Sequence, residues 1–278
     1  MNSSDEIMAA HMFNQLISDF EKAILENDAA RFKELNTNLK PDLVPYLSKS
    51  GIKNINKLFL YNTPIILSRL DYFLAHIIAK GDIPTLKTII ENFNIPVDYK
   101  NNLIPTLCAT TNNVEMMANL ISYGTNVNSA CTLTDLQYIL RIAVTYGTND
   151  MIKLLLESGA DPNIALSEAV KGNKAIVELL LSYGADPNNL DAMSMALIYQ
   201  PDIFRFLVDK GADVQIENNC LLKRVIKSKQ MDNISLLLEL GADPSSLYDE
   251  PIDQSRNDMI DYIISRGVDP VLLLKLQS

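Results

Sequence analysis

The sequence predicts an all-α fold: a solenoid of stacked helical repeats. Three observations carry that prediction. One phrase recurs, as MIKLLLESGADPN at 151–163 and AIVELLLSYGADPN at 175–188, with weaker copies at 119–128, 206–214, 236–245 and 262–270. The glycines inside these phrases, Gly124, Gly159, Gly184, Gly211, Gly241 and Gly267, stand 35, 25, 27, 30 and 26 residues apart. Self-similarity at such a period marks a repeat architecture. Finally, Ile152, Leu155 and Leu156 sit at i, i+3 and i+4, as do Ile176, Leu179 and Leu180. That spacing puts one apolar stripe on one helix face.

Each phrase reads as the end of a helix and a turn. Glycine just past a helix terminus adopts the left-handed conformation at little cost, so it stops the helix and lets trailing carbonyls be satisfied. In Ala-Asp-Pro-Asn the Asp bonds its own backbone, and Pro cannot continue a helix. Taken in order, residues 5–36 predict two helices with a break at Asn27–Asp28, read as a terminal repeat or cap. Residues 37–69, punctuated by Pro41, Pro45, Gly51 and Pro64, are either an inserted helical segment or a diverged repeat. This divides the chain into a helical N-terminal cap or degenerate repeats over 1–69 and a repeat array over 70–278. From Leu70 onward, apolar faces flank the breaks at Gly81–Asp82, Asn112–Asn113 and Gln200–Pro201. Leu136, Ile139, Leu140, Ala143 and Val144 form one inner stripe. Val271 to Leu276 reads as a terminal helix or apolar tail. The array amounts to about seven to nine units.

Leu-Leu-Leu-x-x-Gly-Ala-Asp-x-Asn, preceded by Ala-x-x-x-Gly-Asn, resembles the ankyrin repeat; Leu140 to Asn163 is the best single copy. A full ankyrin unit has about 33 residues, two helices and a β-hairpin finger. Units of 25–27 residues leave little room for the hairpin, so the fingers should be reduced or missing. The family's Thr-Pro-Leu-His start is also absent, with Ile104-Pro105-Thr106-Leu107 in its nearest place. Shortened arrays of this kind are similar to those of large DNA viruses and intracellular bacteria, which would make the chain a host-interacting effector. The resemblance implies a scaffold or adaptor that binds another protein on a concave inner-helix face. Carried over position by position, the contacts precede each inter-helix break: Ala79 and Lys80, Thr110 and Thr111, Thr145 and Tyr146, Val170 and Lys171, Leu197 and Ile198, Lys227 and Ser228, Asp253 and Gln254. Tyr146 is the expected anchor, because tyrosine is enriched at interface hot spots, with Lys171 and Lys227 setting orientation. Asn163 and Asn188, in leucine-spaced Asp-x-Asn sites, resemble acceptors of an asparaginyl hydroxylase; otherwise they serve the turn alone.

Composition narrows the function. The chain has 278 residues, 47% hydrophobic content and a net charge of −10. A nucleic-acid binder needs a basic footprint, and anionic membranes attract basic segments, so neither is expected as a partner. Cys108, Cys131 and Cys220 are scattered without a CxxC pair, which reads as reduced thiols in a cytoplasmic setting, the chain's own cell or a host's. The opening MNSSDEIMAAHMF shows no secretory signal pattern, and no apolar run suits a membrane span.

No catalytic constellation emerges, so no enzyme activity, metal or cofactor is expected. His11 and His76 lack a spaced second ligand. Cys108 takes the small-residue place of an inner helix and reads as core. Asp249, Glu250, Asp253 and Asp258 lack the glycine and ligand spacing of a calcium loop and read as a solvated edge. Met116, Met117, Met193 and Met195 read as core filler. Lys223, Arg224, Lys227 and Lys229 form the one basic cluster, either a solvated helix face or a patch that receives an acidic partner segment. Two further function classes stay open beside a monomeric binding module: self-assembly through an apolar end after Val271, and an enzyme whose site no motif reveals.

Overall fold

In the computed structural model the described residues are 3–36, 68–130, 138–228, 230–243 and 265. Fourteen helices are formed among them: α1 (Ser3–Leu25), α2 (Ala29–Leu35), α3 (Arg69–Lys80), α4 (Ile83–Asn92), α5 (Tyr99–Thr111), α6 (Val114–Ser122), α7 (Ile139–Tyr146), α8 (Asn149–Glu157), α9 (Asn163–Ala169), α10 (Lys174–Ser182), α11 (Leu190–Tyr199), α12 (Pro201–Asp209), α13 (Ile216–Lys227) and α14 (Met231–Glu239). The described residues form no strand; their one isolated bridge joins Ala130 and Tyr138. The fold is therefore the expected all-α helical-repeat class with its hairpin fingers reduced.

Each repeat is a helix pair, and its turn follows from two residues. Gly81, Asn112 and Asn27 hold φ of 73°, 58° and 50°. The next residue caps the second helix: Asp82 accepts from the Thr85 N–H at 3.1 Å, Asn113 from Met116 at 3.0 Å and Asp28 from Arg31 at 2.9 Å. Asn27–Asp28 is thus the same device as Gly81–Asp82. Asn tolerates left-handed backbone better than most residues, and a short polar side chain satisfies the exposed helical N–H groups. Pro201 opens α12, where its missing N–H costs nothing.

The outer helices close alike. At Gly159, φ is +88°. Its N–H bonds the Leu156 carbonyl and the Ala160 N–H bonds Leu155, both at 3.0 Å, which is the Schellman arrangement. The same pair of bonds recurs at Gly124, Gly184, Gly211 and Gly241. The turn then tightens on a side chain. The N–H groups of Asn128, Asn163, Asn188 and Gln215 donate to Asn126, Asp161, Asp186 and Asp213 at 2.8–3.0 Å. That turn occupies the place of a finger.

The chain divides into two compact units, Met1–Ala165 and Leu166–Ser278, the division falling within α9. In the first, α1, α3, α5 and α7 pack in succession, each against the next. Phe20 stacks on Phe73 with ring centroids 4.8 Å apart and meets Phe32 edge-on at 5.2 Å. Asn128 ties two successive turns by donating to the Gly159 carbonyl and accepting from the Asp161 N–H, both at 2.8 Å. The stripe in α7 comprises Ile139, Leu140, Ile142 and Ala143; Val144 is half-buried and Leu136 lies outside the described residues. In the second unit, Lys174 of α10 lies over the Phe206 ring of α12 at 4.6 Å, and Arg205 of α12 meets Glu239 of α14 at 3.1 Å. Met116, Met117 and Met193 are core residues, while Met195 is half-buried.

Candidate functional site

The expected contact residues that are described fall at or just past the ends of inner helices, but three of them, Thr110, Val170 and Leu197, are buried rather than presented. In the first unit Lys80 is exposed as the last residue of α3. Thr110, expected at the surface, is buried, because α3, α6 and α7 all pack against α5. Its hydroxyl donates to the Thr106 carbonyl at 2.6 Å. Thr111 is half-buried and donates to Leu107 at 2.8 Å; Thr145 is exposed and donates to Arg141 at 2.9 Å. Such bonds to the preceding turn hold threonine hydroxyls within their own helix. Tyr146 is half-buried at the end of α7, and its carbonyl accepts from Asn112 Nδ2 at 3.3 Å.

In the second unit Lys171 is exposed and paired with Glu168. Ile198 is 45% exposed. Ser228 is exposed and its hydroxyl donates to the Arg224 carbonyl at 3.0 Å. Lys227 ends α13, but its side chain lies outside the described set, as do Lys229, Cys131, Gly267, Asp253, Gln254, the acidic cluster 249–258, residues 37–67 and the tail after Val271.

Two residues join Ile198 as candidates: Tyr199, which the sequence reading left out, and Arg224, which it placed only in the basic cluster. Tyr199 is 58% exposed, next in the chain to an exposed isoleucine. It stands just before the cap residue Gln200, the place that Gly81, Gly147 and Gly172 take in other repeats. The signal in the sequence is that substitution: a large aromatic residue where a turn glycine belongs. The other is Arg224, whose Nη1 donates to Ser194 Oγ on the neighbouring inner helix at 2.7 Å. A guanidinium held by a neighbouring repeat is invisible to a reading taken one helix at a time.

The asparagines expected to be modified are structural participants. Asn163 donates both its N–H and its Nδ2 to Asp161 Oδ1, each at 3.0 Å. Asn188 Oδ1 accepts from the Asp213 N–H at 2.6 Å. Cys108 is fully buried, and burial pushes its thiol well above the ordinary range, which disfavours the thiolate. His76 is half-buried; burial lowers its pKa, Lys80 adds to that and Asp82 opposes it. His11 is exposed, and Cys220 is a half-buried free thiol. No cluster that could hold a metal ion occurs among the described residues.

The family model for the ankyrin repeat matches residues 136–167 and 164–192. A putative ankyrin repeat protein of Acanthamoeba polyphaga mimivirus is 24% identical over 220 residues, spanning 72% of this chain. The match covers 62% of that relative's length. Among solved structures the chain is similar to the ankyrin repeat domain of human ASB11, at 22% identity and a TM-score of 0.51, covering 71% of this chain and 98% of that one. It is likewise similar to the ankyrin repeat domain of Bcl-3, at 18% identity and a TM-score of 0.51, covering 72% and 99%. The paired helices, the Schellman turns and these matches define a helical-repeat protein. Residues 136–192 match the ankyrin repeat, and the fold is that of ankyrin repeat domains. Repeats of this family are in general protein–protein interaction modules. No described helix is long and apolar enough to cross a membrane.

Proposed function

We propose that the chain binds a protein partner through the ends of its inner helices. The observation that supports this most is the adjacent pair Ile198–Tyr199, large apolar side chains left exposed at the end of α11 while Ala192, Met193, Ala196 and Leu197 of that helix are buried. A soluble repeat gains nothing from such a pair in water, whereas aromatic and apolar anchors dominate binding energy at interfaces. The surrounding backbone is fixed by caps and inter-repeat bonds, so little ordering entropy is lost when a partner docks. Lys80, Thr145 and Tyr146 offer the corresponding positions in the first unit. Helices α1 and α2 serve as the cap of the array, covering α3 through the Phe20, Phe32 and Phe73 cluster.

The setting that fits this role is a reducing cytosol, in the chain's own cell or a host's, where Cys108 and Cys220 stay as thiols. Asn163 and Asn188 are proposed as acceptors for an asparaginyl hydroxylase; the absence of a one-oxygen mass gain after exposure to such an enzyme contradicts that assignment. The binding role is tested by affinity capture from cytosol with wild type, Ile198→Asp and the outer-helix variant Lys153→Glu. The reading predicts a retained protein that Ile198→Asp loses and Lys153→Glu keeps, with thermal unfolding of all three unchanged. Loss with Lys153→Glu and retention with Ile198→Asp contradicts it.

A further inference from the structure

We infer that the second unit recognises an acidic peptide segment carrying one large apolar side chain, held across Lys171, Ile198–Tyr199 and Arg224. This rests on the inner-helix reading above and assigns the chemistry of its partner. Two hydrogen bonds fix the arrangement. Gln200 Nε2 donates to the Lys171 carbonyl at 3.3 Å, which sets the Lys171 turn beside the Tyr199–Gln200 turn. Arg224 Nη1 donates to Ser194 Oγ at 2.7 Å on the other side. Ser194 and Ile198 are four residues apart in one helix and so share a face. The apolar pair is therefore flanked by a cation from the preceding repeat and a cation from the following one.

The charges favour an acidic occupant. The chain carries a net charge of −10, yet two cations flank this pair. Lys171 already pairs with Glu168. Arg224 is exposed, the hydrogen bond of its guanidinium goes to a neutral hydroxyl, and among the described residues no carboxylate pairs with it. Arginine presents five donors in a planar fork suited to a carboxylate, so the remaining donors can receive one. The acidic residues of these inner helices, Asp191 and Glu217, lie in the first turns, at the opposite ends of α11 and α13. Gly172, between Lys171 and Asn173, adds no side chain beside the pair. Two inter-repeat steps at ordinary helix spacing span about 20 Å, which about six residues of extended chain cover. The segment thus places an apolar side chain on Ile198 and Tyr199, with acidic residues reaching toward both cations.

The test is selection of random dodecapeptides displayed on phage against the full chain, with fluorescence anisotropy of the enriched sequences. Acidic peptides with a large apolar residue should enrich, Ile198→Asp should weaken them about tenfold or more, and Arg224→Gln about three- to tenfold. Raising salt should weaken wild-type binding more than Arg224→Gln binding. Thermal unfolding of each variant, and Arg224→Lys as a charge-keeping replacement, separate lost contact from lost fold. Enriched peptides that depend on Ile198 but are neutral or basic, or that ignore Arg224, overturn this inference and leave the inner-helix reading standing. Displacement of the peptides by single-stranded RNA overturns it in favour of a nucleic-acid ligand. If no enriched peptide depends on Ile198, the inference fails, and the capture experiment decides the broader reading separately.

Discussion

Gly147, Gly159 and Gly172 show three different demands on one residue type. Gly159 needs its left-handed φ of +88°, although an added Cβ would meet nothing within 4 Å. Gly147 has φ of −88°, but its Cβ would run into the Ala143 backbone carbonyl. Gly172 has neither constraint, its nearest neighbour being Gln200 Nε2 at 3.9 Å. Alanine at 159 should therefore cost about 1 kcal/mol and at 172 under about 0.5 kcal/mol, with alanine at 147 costing more than either, by urea denaturation. The sequence shows where glycines stand and where their spacing matters; it does not show which constraint holds each. Thr110 is a similar case. A threonine near a helix end reads as surface, and only the three helices packed on α5 bury it. Tyr72 makes a prediction in alkali. Burial, reinforced by Asp71, pushes its phenol up to about 12. A pKa raised on folding means that the folded state holds the proton more tightly, so this contribution is intact below about pH 10 and fades as pH rises toward 12. Tyr72→Phe should resist alkaline unfolding in that window; an unchanged alkaline midpoint contradicts the assignment.

At the scale of the element, the helix pair was legible because its signals are local. Asp28, Asp82, Asn113 and Asn173 cap the second helices, and each stands where a helix-start signal is expected. Bonds between repeats were not legible, since they join residues 25 to 36 apart. Asn113 does both jobs: its Oδ1 caps α6 and its Nδ2 donates to the Ile78 carbonyl of α3 at 3.0 Å. Asn173 caps α10 through Oδ1. Asn173→Ala should cost about 1 kcal/mol, the ordinary loss of a cap, and Asn113→Ala clearly more, because a bond between repeats goes with it. Equal losses in denaturant titrations would remove the inter-repeat bond from the account. Tyr199 belongs here too. Because it takes the turn glycine's position, the pattern assigns it to a turn, while the structure continues α11 through it and leaves its ring exposed.

At the scale of the molecule, the repeat class could be read because many copies of one phrase agree, and each helix pair depends on its neighbours to bury an apolar face. The N-terminal helices show this dependence. Phe20 is fully buried against Phe32 and Phe73, whereas Leu25, one turn on, is 86% exposed. Phe20→Ala should cost about 3–5 kcal/mol and Leu25→Ala almost nothing, which places the cap's stability in the aromatic cluster. The candidate partner surface was only partly legible. Motif positions located the inner-helix ends, but exposure and cross-repeat bonding decided which of them present a side chain. The most direct test of the binding account is site-specific photo-crosslinking, with benzoylphenylalanine placed at 146 and 198 on inner-helix ends and at 153 and 178 on outer helices. The account predicts a common crosslinked protein from 146 and 198 and none from 153 and 178. Crosslinks from 153 and 178 alone would contradict it.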